Sequence, residues 1–497
     1  MSKKKKIQRP KARRPRGFED KSADVLRAEN RLIQAAFSVY DTHGFEPLQT
    51  PAFEYADALG KFLPDDDRPN TGVFALHDDD EQWMALRYDL TAPLARFVAE
   101  NYNDLPKPYR RYQAGSVWRN EKPGPGRFRE FIQCDADSVG APGAAADAEM
   151  IMLAADVMVA AGLDTGQYMV RVNNRKLLDG ILESSGVPGT GAGAEQRLQV
   201  LRSIDKLDRL GADGVADLLG EGRKDDSGAY TKGANLDASA IKAVLGFTTA
   251  SDTDRDKTLR TLEALVGAST HGKAGVEELK LIDDILTACD YGPGRVVFDT
   301  SIVRGLGYYT GPVFEAELLA DIKDRKGRPV RIGSVGGGGR YDGLVSRFMG
   351  QAVPATGYSF GVSRFASALS RMGLAETAEQ PPVMICVFDK SLLGEYFIMA
   401  SQLRAANIRC EVFVGNGNVG KQLKYADKRG VKLAVLMGSD EMERGEVTIK
   451  DLELGAQMAK AIKTNEEWKS SRPAQKTAAR NDIVAAVREM LAGGDII

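Results

Sequence analysis

The sequence predicts an α+β protein: an antiparallel sheet flanked by helices, split by a helical insertion and followed by a small α/β domain. Three observations carry this. Residues 109–139 read as two strand-like runs around a turn-rich tip, Lys122-Pro123-Gly124-Pro125-Gly126, which makes a long antiparallel hairpin and not a βαβ unit. Gly, Ala and Ser become dense from Ser184 to Gly193, and helical periodicity then runs over Arg197–Leu219 and Thr258–Cys289. Beyond Pro381-Pro382, short apolar strands alternate with helical stretches.

The bulk properties agree. At roughly 150 residues per domain, 497 residues suggest about three domains. Lys+Arg is 67 and Asp+Glu is 69, so the formal net charge is −2. With 43% hydrophobic and 27% charged residues, the chain is neither disordered nor collagen-like. The most apolar run, Met150 to Leu163, is interrupted by Asp156 and is shorter than the ~20 residues a membrane span needs, so it reads as a buried helix. The basic N-terminus lacks the apolar core of a secretory signal, which points to the cytoplasm and to no membrane partner. Cys134, Cys289, Cys386 and Cys410 lie far apart, and His43, His77 and His271 do not cluster, so neither a metal site nor a disulfide framework is expected.

Along the chain, residues 1–16 form a tail of Lys and Arg with no acid, either a solvated arm or a tether for a phosphate backbone. Val25, Leu26, Leu32, Ile33, Ala36 and Phe37 fall at helical spacing. Gly44–Tyr55 is extended, and its prolines favour a sheet edge. Trp83–Tyr88 is a short strand, with a helix starting near Asp89. After the hairpin and the insertion, strands resume at Val296–Phe298 and Val313-Phe314, and a helix follows from about Gly361 to Met372. The expected limits are 1–16 for the tail, 17–185 and 291–375 for the sheet domain, 186–290 for the insertion and 382–497 for the last domain, whose sheet should be mostly parallel.

Four clusters could carry chemistry. Arg119, Arg127 and Arg129 flank the hairpin tip, where guanidinium forks suit phosphate oxygens, although such hairpins also bind nucleic acid. Arg304-Gly305-Leu306-Gly307-Tyr308-Tyr309 sets two tyrosines on opposite strand faces; either one packs and the other lines a pocket, or both are ordinary core tyrosines of a strand. Gly336 to Gly339 lacks the phosphate-loop pattern; it is either a flexible loop or a place of close backbone approach. Gly361-Val362-Ser363-Arg364 puts an arginine at a helix start, either beside N–H groups that attract anions or as an ordinary surface residue.

In this order the clusters resemble the histidyl-tRNA synthetases, a family of class II aminoacyl-tRNA synthetases. "RPRGFED" is similar to the family's opening, "GFEPLQTPAFEY" to motif 1, "WRNEKPGPGRFREFIQCDAD" to motif 2 and "GVSRF" to motif 3. "VRGLGYYTG" and "GGGGRYD" resemble the two histidine-specific boxes, and "VNNRKLLDGIL" and "IDKLDRLG" also look like the family.

The resemblance implies a class II catalytic domain, an anticodon-binding domain and a homodimer. It implies ATP with substrate-bound Mg²⁺, L-histidine and tRNA(His) as partners. It makes Arg304 and Arg119 catalytic at the α-phosphate, Arg304 standing in place of a protein-held metal. ATP falls to Arg119, Glu121, Arg127, Phe131 and Arg364, and histidine to Asp89, Thr91, Gln133, Asp137, Tyr308 and Tyr309. Lys421, Gln422 and Tyr425 are the expected tRNA contacts. Gly307 replaces the family's usual aspartate, and Asp89 and Asp137 stand where many relatives have glutamate. A catalytically inactive regulatory subunit of ATP phosphoribosyltransferase is the main alternative, and a bare RNA-binding module a second.

Overall fold

The computed structural model describes residues 10–62, 72–124, 128–224, 230–267, 269–302, 309–319, 322–323, 329–330, 333–372, 382–461 and 474–493. The chain forms two compact units, Met1–Glu376 and Thr377–Ile497.

The first unit is built on an eight-stranded sheet. Its strands are β1 (Glu46–Pro47), β2 (Tyr109–Trp118), β3 (Glu130–Val139), β4 (Tyr168–Asn174), β5 (Val296–Phe298), β6 (Pro312–Leu318), β7 (Ser334–Arg340) and β8 (Ala355–Phe360). Their spatial order is β1-β2-β3-β8-β7-β6-β4-β5. The six central strands are antiparallel, and the two edge strands β1 and β5 pair in parallel. The proline-bearing segment thus lies at an edge, where a missing N–H costs no ladder bond.

Side chains alternate across these strands and divide the sheet into two faces. On one face Tyr112, Cys134, Ala136, Phe314, Tyr358 and Phe360 join an apolar core with helices α1 (Ala23–Thr42), α3 (Ala144–Ala160) and α11 (Val362–Met372). Helix α3 is apolar almost all round, with Met150, Ile151, Leu153, Ala154, Ala155, Val157 and Met158 all buried, as a central core helix must be. Among the described residues no helix is long and apolar enough to cross a membrane. On the other face, α2 (Thr91–Glu100) and α10 (Gly343–Met349) cover one end, with Leu94, Val98, Tyr109, Val139 and Ala355 in a smaller core. The rest of that face carries the polar groups described below.

The glycine run is a central strand and not a flexible loop. β7 pairs with both β6 and β8. On the core side, a Cβ at Gly338 would meet the Phe314 ring at 2.6 Å and one at Gly336 would meet Tyr358 Cζ at 2.9 Å. The glycines make room for aromatic side chains of the neighbouring strands.

Between β4 and β5 lie α4 (Arg175–Ser184), α5 (Ala192–Ile204), α6 (Leu207–Leu219), α7 (Ala238–Thr248), α8 (Arg255–Val266) and α9 (Thr270–Ala288). The apolar residues of these helices are continuous with the sheet's core. The helical periodicity over Arg197–Leu219 resolves into two helices that break after Ile204, and Gly211 adds a kink at φ 69°. A short hairpin, Gly222–Lys224 with Tyr230–Lys232, was not foreseen.

The second unit holds β9 (Val383–Ile385), β10 (Cys410–Val412), β11 (Leu433–Leu436), β12 (Glu446–Asp451) and β13 (Gln475–Ala479), in the order β10-β9-β11-β12-β13. Only the first three are parallel; β12 and β13 add antiparallel. The sheet is therefore mixed, because Gly445, at φ 66°, turns the chain straight back after the short helix Ser439–Arg444. Helices α12 (Leu393–Ala405), α13 (Val419–Lys428) and the final Ile483–Leu491 belong to this unit.

At the C-terminal end of α1, His43 joins a charged network. Its Nε2 lies 3.4 Å from Asp156 and its Nδ1 3.8 Å from Glu149. Arg110 binds Glu149 at 2.6 and 2.9 Å, while Arg295 and the Tyr291 hydroxyl hold Asp156 at 2.9 and 2.7 Å. Hydrogen bonding to Asp156, then to Glu149, raises His43 from 6.5 to about 9. Because the folded value lies above the unfolded one, this stabilisation is complete below 6.5 and is lost as pH rises through about 9. In a calorimetric series the Tm deficit of His43→Gln is therefore expected to be largest near pH ~6 and to close by pH ~10. A deficit that does not change with pH would remove His43 as the titrating group.

Candidate active site

Register places the polar face. Across β2 and β3, Arg111 opposes Asp137, Gln113 opposes Asp135, Gly115 opposes Gln133 and Val117 opposes Phe131. On β8, Gly357 opposes Asp137 and Ser359 opposes Asp135. On β7, Gly339 opposes Gly357 and Gly337 opposes Ser359, and Glu315 of β6 opposes Gly337. These residues therefore share one face, opposite the apolar core.

Asp137 sits deepest and is buried. Its Oδ1 accepts from the Tyr341 hydroxyl, and its Oδ2 lies 2.8 Å from Arg111 Nη2. Oδ2 accepts no hydrogen bond among the described residues. Arg111 is fully buried and donates through Nη2 to the Leu90 carbonyl at 2.9 Å, ahead of α2. Burial raises Asp137 and outweighs the opposing pull of Arg111. Gly357 supplies the space: a Cβ there would fall on the Asp137 carboxylate.

Asp135 is also buried, and burial together with neighbouring Asp137 raises it to about 8. Its Oδ1 accepts from Ser359 Oγ at 2.6 Å, and Gln133 Nε2 donates to the same hydroxyl at 2.5 Å. Asp89 stands before α2, where its Oδ1 accepts from the N–H groups of Thr91 (3.2 Å) and Ala92 (2.9 Å). It serves as a helix cap of the kind its sequence position predicted. Tyr309 lies over Gly339 and is held well above its usual range by burial, with Asp135, Asp137, Glu315 and Asp89 all adding to the shift. This end of the face is a buried, acid-rich cluster.

The other end is cationic and aromatic. The Arg119 guanidinium lies over the rings of both Tyr88 and Phe131, at 4.3 and 5.0 Å from their centroids. Stacking of this kind pre-orients a guanidinium while leaving N–H donors for a ligand. The Tyr88 hydroxyl donates to Glu121 at 2.9 Å, and burial raises its pKa to about 12. The segment carrying Arg364 is tied to the strand carrying Phe131. Ser363 Oγ donates to buried Glu29 at 2.6 Å and accepts from the Ile132 N–H at 3.0 Å, and Lys21 neutralises Glu29 at 2.7 Å. Arg364 itself is exposed. Among the described residues no group of three or more His, Cys, Asp or Glu could hold a metal ion.

With this geometry the comparisons become informative. A model of the histidyl-tRNA synthetases matches residues 17–365, and a model of an anticodon-binding domain matches residues 382–469. The chain belongs to the histidyl-tRNA synthetase family. A histidine–tRNA ligase of Rhizobium leguminosarum bv. trifolii is 55% identical over 507 residues, covering 99% of each chain. One from Caulobacter vibrioides is 55% identical over 487 residues, covering 98% of each. Among solved structures, the histidyl-tRNA synthetase of Nostoc sp. PCC 7120 superposes with a TM-score of 0.73 at 27% identity, over 97% of this chain and all of that one. An ATP phosphoribosyltransferase regulatory subunit/histidyl-tRNA synthetase from Bacillus halodurans shares the fold, with a TM-score of 0.64 at 22% identity over 84% of this chain.

Of the residues that the resemblance to histidyl-tRNA synthetases implies, Asp89, Thr91, Gln133, Asp137 and Tyr309 gather at the acidic end. Arg119, Glu121 and Phe131 gather at the aromatic end. Arg304, Tyr308 and Arg127 lie outside the described residues, as does Gly307. Arg129 donates through its side chain to the Glu121 carbonyl (2.9 Å) and through its N–H to the Gly17 carbonyl (2.8 Å), so it ties the N-terminal segment to the hairpin. One reading needs correction. Gln422 is buried, with its amide paired to both the N–H (2.9 Å) and the carbonyl (2.6 Å) of Val387, so it serves the fold and is not displayed to RNA. Lys421 and Tyr425 are exposed on α13, and Lys424 and Lys428 share that surface at helical spacing. Sequence reasoning missed those two lysines, along with Arg111, Asp135, Ser359, Tyr341 and Tyr88. Strand alternation from Gln133 to Asp137 already put Asp135 on the site face. The other residues needed register.

Gly357→Ala is expected to lower stability by about 1–3 kcal/mol, the usual cost of overpacking, measured by urea unfolding. An unchanged midpoint would mean that the Asp137 carboxylate swings aside freely.

Proposed function

We propose that this chain is a histidine–tRNA ligase that works in two steps. In the first, a carboxylate oxygen of L-histidine attacks the α-phosphorus of ATP in line. The bond to the β-phosphate breaks, and pyrophosphate leaves, giving histidyl-adenylate. In the second, a terminal ribose hydroxyl of tRNA(His) attacks the acyl carbonyl and AMP leaves. The observation that carries this reading is one sheet face with a buried acid-rich cluster at one end and a stacked arginine at the other.

In this reading the acidic end takes the amino acid. Asp89, Thr91 and Gln133 bind the α-ammonium. Asp137 Oδ2, close to Arg111 but accepting no hydrogen bond, is the acceptor for one ring N–H, and Tyr309 with Tyr308 reads the other nitrogen. A ligand lacking those nitrogens leaves buried polar groups unpaired, which is the basis for strong discrimination. The aromatic end takes ATP: adenine stacks on Phe131 beside Arg364, and Glu121 meets its amine. Arg119 and Arg304 neutralise the α-phosphate, and Arg127 the terminal phosphates. Mg²⁺ belongs to the MgATP substrate, held mainly through phosphate oxygens. Catalysis is then positioning plus charge neutralisation.

The exposed side chains of Phe53 (43%) and Tyr55 (50%) share one face of a small sheet of Phe53–Tyr55, Trp83–Leu86 and Ala75–His77. With Phe348 beside them, they are the apolar surface we assign to a two-fold homodimer. The exposed lysines of α13 are assigned to tRNA, and the compartment is the cytoplasm. The regulatory-subunit reading finds no support in a site observation. Arg119 and Arg364 are present, and an anticodon-binding region follows the catalytic one.

ATP–pyrophosphate exchange without tRNA is expected with histidine alone among the twenty amino acids. Arg119→Ala and Arg304→Ala should each lower it roughly a hundredfold or more with the oligomeric state intact. Exchange with no amino acid at all would favour the regulatory subunit.

A further inference from the structure

We propose that Ser359 and Asp135 are positioning residues that fix the amide of Gln133, so that its carbonyl oxygen receives the α-ammonium group of the substrate. This rests on the reading of the acidic end as the amino-acid pocket. It concerns two residues to which the resemblance assigns no part.

The argument runs through one proton. A bound ammonium beside Asp135 favours its ionised form, which only accepts hydrogen bonds, and a serine hydroxyl has a single proton to give. Ser359 Oγ lies 2.6 Å from Asp135 Oδ1 and 2.5 Å from the Gln133 amide. With its proton directed to Asp135, the hydroxyl presents only lone pairs to Gln133. The amide must then turn its NH₂ toward Ser359 and its Oε1 away. That Oε1 is buried and has no hydrogen-bond partner among the described residues. A buried acceptor of this kind awaits a donor.

The surroundings say which donor fits. Three acids, Asp89, Asp135 and Asp137, act together here against two buried cations: Arg111, already set against Asp137, and Arg87, whose guanidinium lies at Gly115 and acts on Asp135. An anionic group is repelled, and a protonated amine is attracted. Binding and relay also reinforce each other: a cation beside Asp135 favours its ionised form, and that form directs the serine proton. A flipped amide would present NH₂ to the ammonium, a donor facing a donor.

The test is steady-state ATP–pyrophosphate exchange on the full chain. Ser359→Ala is expected to raise the KM for histidine roughly tenfold or more, with kcat within about twofold and the KM for ATP unchanged. Inhibition by 3-(imidazol-4-yl)propionate, which is histidine without its α-amino group, should not move, because the relay serves only the ammonium. Ser359→Thr keeps the hydroxyl and should restore the KM. Should the alanine variant fail to fold, Ser359→Cys keeps a side chain of the same shape with a weaker donor and acceptor, and should shift the histidine KM in the same direction by less. An unchanged histidine KM in folded Ser359→Ala, or an equal loss for the deamino analogue, overturns the relay. Absence of histidine-dependent exchange in the parent chain would instead sink the functional reading beneath it.

Discussion

The buried pairing of Arg111 with Asp137 constrains the rest of the catalytic unit. Arg111 is wholly inside the protein, and its charge is matched across the hairpin by a carboxylate 2.8 Å away. Removing one partner of such a pair typically costs about 3–5 kcal/mol, because the other charge is left buried and unmatched. The pair therefore holds β2 and β3 in register. A slip of one residue would turn Arg111, Asp135 and Asp137 into the apolar layer of α1, α3 and α11, and bring Tyr112, Cys134 and Ala136 onto the polar face. The Tyr341 hydroxyl and the Leu90 carbonyl extend the constraint to the start of α10 and to the turn before α2.

The same register explains why one sheet hosts two environments. Its core face is sealed by a helix, α3, that is apolar almost all round, so it needs no polar partners there. Its site face has space because glycines stand where side chains would otherwise meet. Gly357 makes room for a carboxylate, and Gly115 for the Arg87 side chain that braces the strand before α2. Burying several acids in that space is unfavourable without compensation, as the raised Asp135 and Asp137 indicate. A cluster left short of positive charge is suited to a cationic ligand.

Long-range polar ties join the segments that carry the site. Ser363 links α1, α11 and β3 through Glu29 and the Ile132 N–H. Arg340, at the end of the glycine strand, reaches buried Asp147 of α3 at 2.9 Å and the Gly143 carbonyl at 2.7 Å. Each tie crosses more than a hundred residues of sequence. Each fixes a backbone segment that bears a site residue without contributing that residue itself.

Much was readable from the sequence by itself. Helical spacing from Val25 to Phe37, alternation through 109–139 and the strand–helix rhythm after Pro382 determined the elements, because periodicity and turn chemistry are local. Arg119, Gln133 and Asp137 could be named because the stretches that carry them resemble motifs of the histidyl-tRNA synthetases, and a motif is a one-dimensional pattern. The tertiary structure decided what those residues meet. It made the glycine run a central strand, because only pairing with β6 and β8 shows which aromatic rings need its space. It turned Arg129 and Gln422 to the fold, because their carbonyl partners lie on other segments. It brought Arg111, Ser359 and Tyr341 to the site, because cross-strand register and helix packing are set by burial summed over the whole core, and no local pattern records that sum.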